Sequence, residues 1–508
     1  HHRPHVASLH RSRLTPVATE PQPIPALRPD LPANTTAILG VFGRSTLWIW
    51  VDRGLLSIST LLAGLLLVRY LGPADFGLYS VALSAGVLVA VVMDLGFTRY
   101  ASRAVAATPR EGRSIMSLGL LTSAVLLLAE LVALVISALL RNGYLAVICA
   151  GLILGNFGRL HDLTGAFLRA ELRSRVMVWG STIGRLGHVL VIFAVIWFHL
   201  SVLDLLLGYS LVAVPALVLR LWQLWHHGPA LRELTWRGFW TVTRRAWPFF
   251  SFSLSELGYS QVFVLTFSLV ASPHEVGLLS AGLVIVSLLH QWASATADAV
   301  LPLMTRLYEA DRIRELLELR SRILEALLIL SIPVVVVLFV FAPQICALLS
   351  GKYAASAPVL RILALRAPLW ILEGFLGAGF LNATNRVAGR RNAFAFALVV
   401  LVIFTLVLGR IWGPQGAAVA SWIATFYILW AYIRLCSSIG GELRLASAFA
   451  ATGSAALVMA ALCLKLSSSM FWVLAIPPAL LIYFAVLFLI ARTRLLSAGR
   501  TLRECLVG

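Results

Sequence analysis

A nine-residue stretch, GPADFGLYS at residues 72–80, returns as SPHEVGLLS at residues 272–280. The offset is 200 residues throughout, Pro, Gly, Leu and Ser recur at matching places, and the acid is kept as Asp or Glu. Pro and Gly are the residues that a tight turn between antiparallel helices requires. Each copy lies between two long apolar runs, so the repeat predicts a chain built from two similar halves.

The apolar runs around the repeat predict the fold class. Of the 508 residues, 60% are hydrophobic and only 12% are charged, whereas soluble domains are about 45–50% apolar and about 25% charged. A run of roughly 20 apolar residues crosses a bilayer as a helix, because lipid cannot satisfy an open backbone. The sequence therefore predicts an all-α membrane protein with about 14 transmembrane helices.

The positive charge predicts the orientation of these helices. The chain carries 41 Lys and Arg against 22 Asp and Glu, a formal net charge of +19. With the N-terminus inside, 31 of the 41 fall in inner segments, and four fall in outer loops, namely Arg69, Arg141, Lys352 and Lys465. Because Lys and Arg accumulate in cytoplasmic loops, we expect both termini in the cytoplasm. This distribution accounts for the basic composition without nucleic acid as a partner.

The repeat and the apolar runs together predict the domain organisation. Phe-Leu-Arg-Ala at 167–170 is echoed by Phe-Leu-Asn-Ala at 380–383, after the fourth helix of each half. Six helices separate the copies, so both halves face the same way, with a pseudo-twofold axis along the membrane normal. We predict a disordered cytoplasmic tail (1–44), an N-lobe of six helices (45–220), an interfacial amphipathic linker (221–246), a C-lobe of six helices (247–437), two further helices (438–491) and a cytoplasmic tail (492–508).

No motif in the sequence indicates an enzyme or a bound cofactor. The chain lacks a Gly-rich phosphate-binding loop of the P-loop type, and no pair among its five cysteines has metal or redox spacing. The glycine-rich segment at 374–379 lies in an apolar run and is better explained by close helix packing. We therefore predict no catalytic residues, no metal site and no cofactor, and we expect transport rather than catalysis.

Charged residues inside the apolar runs are the candidates for a functional site. An Arg at the centre of a span costs about 2.5–3.5 kcal/mol on insertion scales, so such residues must pair, reach the interface or line a wet cavity. Arg159 and Asp162, three apart on one helix, are expected to pair with each other. A cavity lined by Arg would suit phosphate groups, because the guanidinium fork matches phosphate oxygens. The candidates for such a cavity are Arg53, Arg185, Arg361, Arg366 and Glu373.

Acids in the spans leave a second interpretation open. They outnumber the spanning arginines nine to six, so charge alone does not select an anionic substrate. Glu256, Asp94 and Glu130 are candidates for proton or sodium coupling, and each is also compatible with a purely structural role.

Several motifs resemble those of the Wzx-type polysaccharide flippases, whose superfamily also contains multidrug exporters and the lipid II flippase. They are YLGPADFGLYS at 70–80 with DLGF at 94–97, FLRA at 167–170, LNATNR at 381–386 and GPQGAAVA at 413–420. The resemblance implies two six-helix lobes plus two C-terminal helices in the bacterial inner membrane. It implies alternating-access transport of an undecaprenyl-diphosphate-linked oligosaccharide for O-antigen, capsule or exopolysaccharide synthesis. Membrane lipids, a polymerase and chain-length components would be the partners.

Two other functions remain open at this point. A cation-coupled multidrug or toxin exporter of the same superfamily would have the same fold. An integral-membrane glycosyltransferase or ligase would need catalytic acids or a large outer loop, and the predicted outer loops contain only a few residues each.

Overall fold

The computed structural model describes residues 59, 62–101, 109–170, 174–224, 236–440, 445–467 and 472–507. These residues are helices joined by short turns, and none of them belongs to a strand. Residues 62–70 form the end of a first helix. The later helices are α1 (Pro73–Asp94), α2 (Pro109–Leu139), α3 (Gly143–Ala170), α4 (Ser174–Trp197), α5 (Val202–Gln223), α6 (Trp236–Ser268), α7 (Pro273–Glu309), α8 (Ile313–Val340), α9 (Ala342–Leu349), α10 (Ala357–Phe375), α11 (Val387–Ser437), α12 (Leu445–Ser467) and α13 (Trp472–Val507).

The chain is a multi-pass membrane protein. Ten of the described helices are long and apolar enough to cross a bilayer. One of them, α11, consists of two helices that meet at Gly413, where φ is 55° and ψ is −136°. Helices α6 and α10 are outside the ten, and α10 carries Arg361, Arg366 and Glu373 within its 19 residues. The all-helical membrane fold is confirmed, whereas the total of about 14 spans stays a prediction.

The residues of the sequence repeat determine where α1 and α7 begin. Proline occupies the first turn of both α1 and α7, where its missing N–H leaves no hydrogen bond unmade. Ser272 caps α7 with its side chain, and its backbone N–H donates to Glu275 Oε2 at 2.8 Å. Gly72 has no side chain to cap α1. The two copies therefore share the same turn but stabilise it differently.

The helices pack as two lobes. Residues 62–70 and α1 to α5 form the N-lobe, and the part of α6 after Pro248 together with α7 to α11 forms the C-lobe. One apolar cluster fills most of the C-lobe, and α12 and α13 pack beside α8 through Met459, Cys463, Ala479 and Tyr483. This arrangement agrees with two lobes followed by two further helices.

The two copies of the repeat contact each other directly. A Cβ atom placed on Gly77 would lie 1.8 Å from the Pro273 carbonyl oxygen, and one placed on Gly277 would lie 1.7 Å from the Pro73 carbonyl oxygen. The contact is reciprocal, as a twofold relation between the lobes requires. We call this end of the molecule, where Pro73 and Pro273 begin α1 and α7, the repeat end. Only glycine allows the two backbones to approach so closely.

Helix α6 connects the lobes without a break. Its first part packs Val242 and Ala246 against the N-lobe residues Phe97 and Tyr100, and its last part packs Phe263 into the C-lobe cluster. At 33 residues, α6 is roughly 50 Å long. The first part of α6 is amphipathic, because Trp240 and Trp247 are exposed while Val242 and Ala246 are buried.

The predicted linker at 221–246 therefore does not form a separate element in its described part. Its beginning belongs to α5 and residues 236–246 are the first turns of α6, because burial of their apolar side chains on the N-lobe favours a continuous helix. Residues 225–235 lie outside the described part of the chain, as does the predicted tail at 1–44. Placement of the linker in the membrane interface stays a prediction.

Substitution of Gly277 should loosen the contact at the repeat end. Gly277→Ala puts a methyl group into the Pro73 carbonyl, and overpacking of this kind costs about 1–3 kcal/mol. We expect a lower apparent Tm in detergent, measured by fluorescence-detected size exclusion after heating. Gly72→Ala is the matched control, since nothing lies within 4 Å of its added Cβ. Equal Tm values for the two variants would contradict the contact.

Candidate functional site: buried charges in the two lobes

Arg159 is the centre of a polar network inside the N-lobe. It lies on α3 and is 6% exposed. Its Nη1 donates to the Met93 carbonyl at 2.7 Å and to Thr122 Oγ1 at 3.2 Å, and its Nη2 donates to Ser123 Oγ. Helices α1, α2 and α3 are thus joined by one guanidinium. Asp162, the expected partner of Arg159, is not among these acceptors, because the Arg159 side chain turns towards α1 and α2.

Two predicted acids, Glu130 and Asp94, belong to the same region. Asn156 Nδ2 donates to Glu130 Oε2 at 3.3 Å and to the Ser123 carbonyl at 2.9 Å. Asp94 accepts hydrogen bonds from the backbone N–H and the hydroxyl of Thr98. Both carboxylates act electrostatically on Arg159. Arg99 also acts electrostatically on Asp94, so two acids and two guanidinium groups belong to this region.

Arg185, another predicted cavity residue, lies in a separate part of the N-lobe. It is half-buried on α4, and its charge acts on His161 of α3 together with those of Arg220 and Arg169. The His188 ring, one turn after Arg185, packs on the Tyr209 ring of α5 at 4.5 Å. Arg185 and His188 therefore line the interior of the N-lobe among α3, α4 and α5.

Arg366 is the most deeply enclosed of the predicted site residues. It lies on α10, is 3% exposed, and its guanidinium carbon is 4.3 Å from the centre of the Trp370 ring. Trp370 also stacks on His290 of α7 at 4.3 Å. Glu373, on the same helix, is 5% exposed and acts electrostatically on Arg366, as does Tyr259 of α6. The C-lobe thus holds a cation against an aromatic face, which is a favourable arrangement away from water.

The other predicted residues are placed differently. Arg361 is exposed, and its Nε donates to the Phe339 carbonyl of α8 at 3.2 Å, so the structure does not bring it to Arg366 and Glu373. Arg53 lies outside the described residues, and Glu256 belongs to the stretch of α6 whose side chains are not described. For Arg53 and Glu256, the site assignments stay predictions.

Sequence reasoning missed several buried guanidinium groups, among them that of Arg220. This residue is 2% exposed near the end of α5, and it donates to the His161 carbonyl at 2.8 Å and to the Met177 carbonyl at 3.0 Å. A Cβ on Gly180 would lie 2.8 Å from Arg220 Nε, so this glycine makes room for the side chain. The facing glycine is the one sequence feature that could have indicated this burial.

Three of the buried guanidinium groups are therefore held inside the lobes. Arg159 joins α1, α2 and α3, Arg220 joins α3, α4 and α5, and Arg366 is enclosed on α10. Among the described residues, no group of three or more His, Cys, Asp or Glu could hold a metal ion. Each of these guanidinium groups is consequently enclosed by helices of its own lobe.

Comparison with protein families decides the affiliation of this chain. The family profile described as "Polysaccharide biosynthesis protein" matches residues 42–308, which is more than half of the chain. The chain belongs to this family. A comparison with curated protein sequences found no significant match.

The fold of this polysaccharide biosynthesis protein is similar to that of several solved transporters. A structure titled as lipid II flippase MurJ in an inward closed conformation matches with a TM-score of 0.72 and 14% identity, covering 88% of this chain and 99% of that chain. An inward-facing multidrug resistance MATE transporter of the MOP superfamily matches with a TM-score of 0.58 and 16% identity, covering 75% and 95%. The protein therefore has a fold similar to those of MurJ and the MATE transporters.

Removal of the Arg159 side chain should destabilise the N-lobe strongly. Arg159→Ala leaves buried acceptors and two carboxylates without their cation, and breaking a buried charge network costs about 3–5 kcal/mol. We expect a large fall in the apparent Tm and lower yield of folded protein. Arg361→Ala serves as the control, because Arg361 is exposed, and its Tm should stay near that of the parent. Equal Tm values for the two variants would contradict the role of the network.

Proposed function

We propose that this protein flips an undecaprenyl-diphosphate-linked oligosaccharide across the bacterial inner membrane by alternating access. The transported glycan serves the synthesis of a cell-surface polysaccharide, and both termini of the protein are cytoplasmic. The observation that carries this proposal is that the chain belongs to the polysaccharide biosynthesis family and has a fold similar to those of transporters. No ATP-binding motif occurs in the sequence, so an ion gradient, the membrane potential or the supply of substrate drives the step.

The two-lobe architecture supports alternating access. Described contacts join the lobes at both ends, through Gly77 and Gly277 at the repeat end and through Gly96 at the opposite end, where its Cβ would lie 2.5 Å from the Phe250 backbone nitrogen. Buried hydrogen bonds hold the N-lobe helices together and an apolar cluster fills the C-lobe, so in this proposal the lobes move as units while one contact at a time opens. Such rigid-body movement around a central path is typical of transporters with repeated halves.

Guanidinium groups supply the recognition of the diphosphate in this proposal. Arg366, Arg185 and Arg53 are the residues we assign, with Glu373 balancing the charge of Arg366. Arg366 Nε is buried and has no hydrogen-bond partner among the described protein groups, so it retains an unused donor for a phosphate oxygen. Arg361, which is exposed and bonded to α8, has no place in this assignment.

The N-lobe acids are the proposed coupling site. Glu130 and Asp94 both act on the buried Arg159 guanidinium, and a carboxylate in an apolar environment favours uptake of a proton or another cation. Glu256 stays a third candidate on α6.

A cation-coupled multidrug exporter is the second candidate function. The N-lobe acids and the similarity to MATE transporters favour it, but the family match points to polysaccharide synthesis. The two candidate functions also differ in their expected partners. A flippase would work beside a polymerase and chain-length components in the membrane.

Loss of Arg366 or Arg53 should abolish polysaccharide export. We expect Arg366→Ala and Arg53→Ala to reduce surface polysaccharide at least tenfold, since losing one charge-assisted hydrogen bond costs about 1.5–3 kcal/mol. Immunoblotting of membrane fractions would show normal protein levels. Arg361→Ala is the matched control and should export normally. Full export by both site variants would contradict an anion-binding path, and loss of drug tolerance with intact export would favour the exporter.

The orientation predicts which ends of helices face outward. The exposed Ala74 lies at the repeat end and the exposed Ala310 at the opposite end. In intact cells, a membrane-impermeant maleimide should label Ala74→Cys and spare Ala310→Cys until the membrane is permeabilised. The reverse pattern would invert the proposed topology.

A further inference from the structure

We propose that Tyr353 is a latch that holds the two lobes together at the repeat end and releases when this end opens. The latch adds a control element to the alternating-access transport proposed above, and its test requires no substrate.

The geometry of Tyr353 joins two distant parts of the chain. Its hydroxyl donates to the Leu71 carbonyl at 3.0 Å, across 282 positions of sequence, and the residue is 0% exposed. The ring meets the Phe76 ring edge-on at 6.4 Å. Leu71 and Phe76 flank the turn that begins α1, so Tyr353 of the C-lobe contacts the N-lobe copy of the repeat on both sides of Pro73.

Leu71 provides an acceptor that otherwise has no helical partner. Residues 62–70 are helical, and the Leu71 N–H donates to the Leu67 carbonyl at 2.7 Å, so the Leu71 carbonyl lies at a helix end. Carbonyls at a helix end lack intrahelical donors. The Tyr353 hydroxyl satisfies this one in a buried setting, where a lost hydrogen bond leaves an unpaired polar group.

The connection that carries Tyr353 breaks the symmetry of the two halves. In the C-lobe, α9 and a 3-10 turn at Gly351–Ser356 separate α8 from α10. Ser350 orders this turn, because its side chain accepts from the Lys352 N–H at 3.3 Å and its carbonyl accepts from the Tyr353 N–H at 2.9 Å. The corresponding N-lobe connection, between α2 and α3, contains only residues 140–142. The latch is therefore supplied from one lobe alone.

The latch complements the glycine contact beside it. Gly77 and Gly277 allow the backbones of α1 and α7 to pack closely. Tyr353 adds a hydrogen bond to Leu71 and an aromatic contact with Phe76. Leu349 and Tyr353 pack in the same apolar cluster as Phe76, Leu278 and Ala281. Parting of α1 from α7 requires Tyr353 to leave this cluster.

The latch can be tested by measuring how fast a cysteine placed at a buried position of the repeat end reacts with a maleimide. Ser280 is 5% exposed on α7 and lies three residues after Gly277, on the same helix face. In the full chain in lipid nanodiscs, the reaction of Ser280→Cys with a charged maleimide reports opening of the repeat end, followed at this position by mass spectrometry. Addition of Tyr353→Phe should raise the reaction rate about two- to tenfold, the effect of one net hydrogen bond.

Tyr483→Phe is the matched control. The Tyr483 hydroxyl donates to the Ile329 carbonyl at 3.1 Å and is equally buried, but it joins α13 to α8 away from the contact between the lobes. Spin labels at Ala74→Cys and His274→Cys, both exposed, give a second measurement, and Tyr353→Phe should increase the population of long distances. An unchanged rate and unchanged distances with Tyr353→Phe, or equal changes with Tyr483→Phe, would overturn the latch.

Failure of the latch and failure of the flippase are distinguishable. The reaction rate and the label distances depend on opening alone, whereas polysaccharide export depends on the substrate. If Tyr353→Phe raised the reaction rate and the label distances as expected but the protein exported no glycan, the latch would be supported and the proposed function would be contradicted.

Discussion

The close approach of two helix starts, those of α1 and α7, is the contact on which the architecture depends. Two glycines allow the backbones to meet, since a Cβ at Gly77 or Gly277 would lie within 2 Å of the facing proline carbonyl. The same residues appear in the sequence as a repeat with an offset of 200 positions. The duplicated turn thus forms a contact between the two halves. In each half the glycine of the repeat faces the proline of the other half.

Charge burial explains why each half can behave as a unit. In lipid, a guanidinium must find its acceptors within the protein, and Arg159 and Arg220 find carbonyl and hydroxyl oxygens on neighbouring helices of the N-lobe. Arg366 rests on the Trp370 ring in the C-lobe. The contacts of Arg159 and Arg220 tie helices within the N-lobe, whereas the contacts between lobes at the repeat end consist of backbone atoms, apolar side chains and the Tyr353 hydroxyl. Movement between the lobes therefore leaves the charged networks intact.

Helix α6 provides the continuous link between these units. Its first turns pack on the N-lobe and its last turns on the C-lobe, with Pro248 between them. A proline inside a helix removes one backbone hydrogen bond and favours a bend there. The covalent connection between the lobes is thus a long helix with a built-in weak point, which suits a protein whose halves change their relative orientation.

Much of the architecture could be predicted from the sequence, because lipid imposes simple rules on it. Apolar runs in lipid must be helical, the repeat at 72–80 and 272–280 indicated two halves, and the family resemblance agreed with the family match over residues 42–308. The partners of individual side chains could not be predicted in the same way. Arg159 was expected to pair with Asp162 on its own helix but bonds to α1 and α2, and Arg361 lies apart from Arg366 although they share a helix. Such partners depend on how neighbouring helices are rotated about their axes, which periodicity does not encode. The sequence by itself therefore determined the helices, their grouping and the family. The tertiary structure decided which polar groups meet, as for Tyr353 and Leu71, because these groups are 282 positions apart and meet only after the lobes have packed.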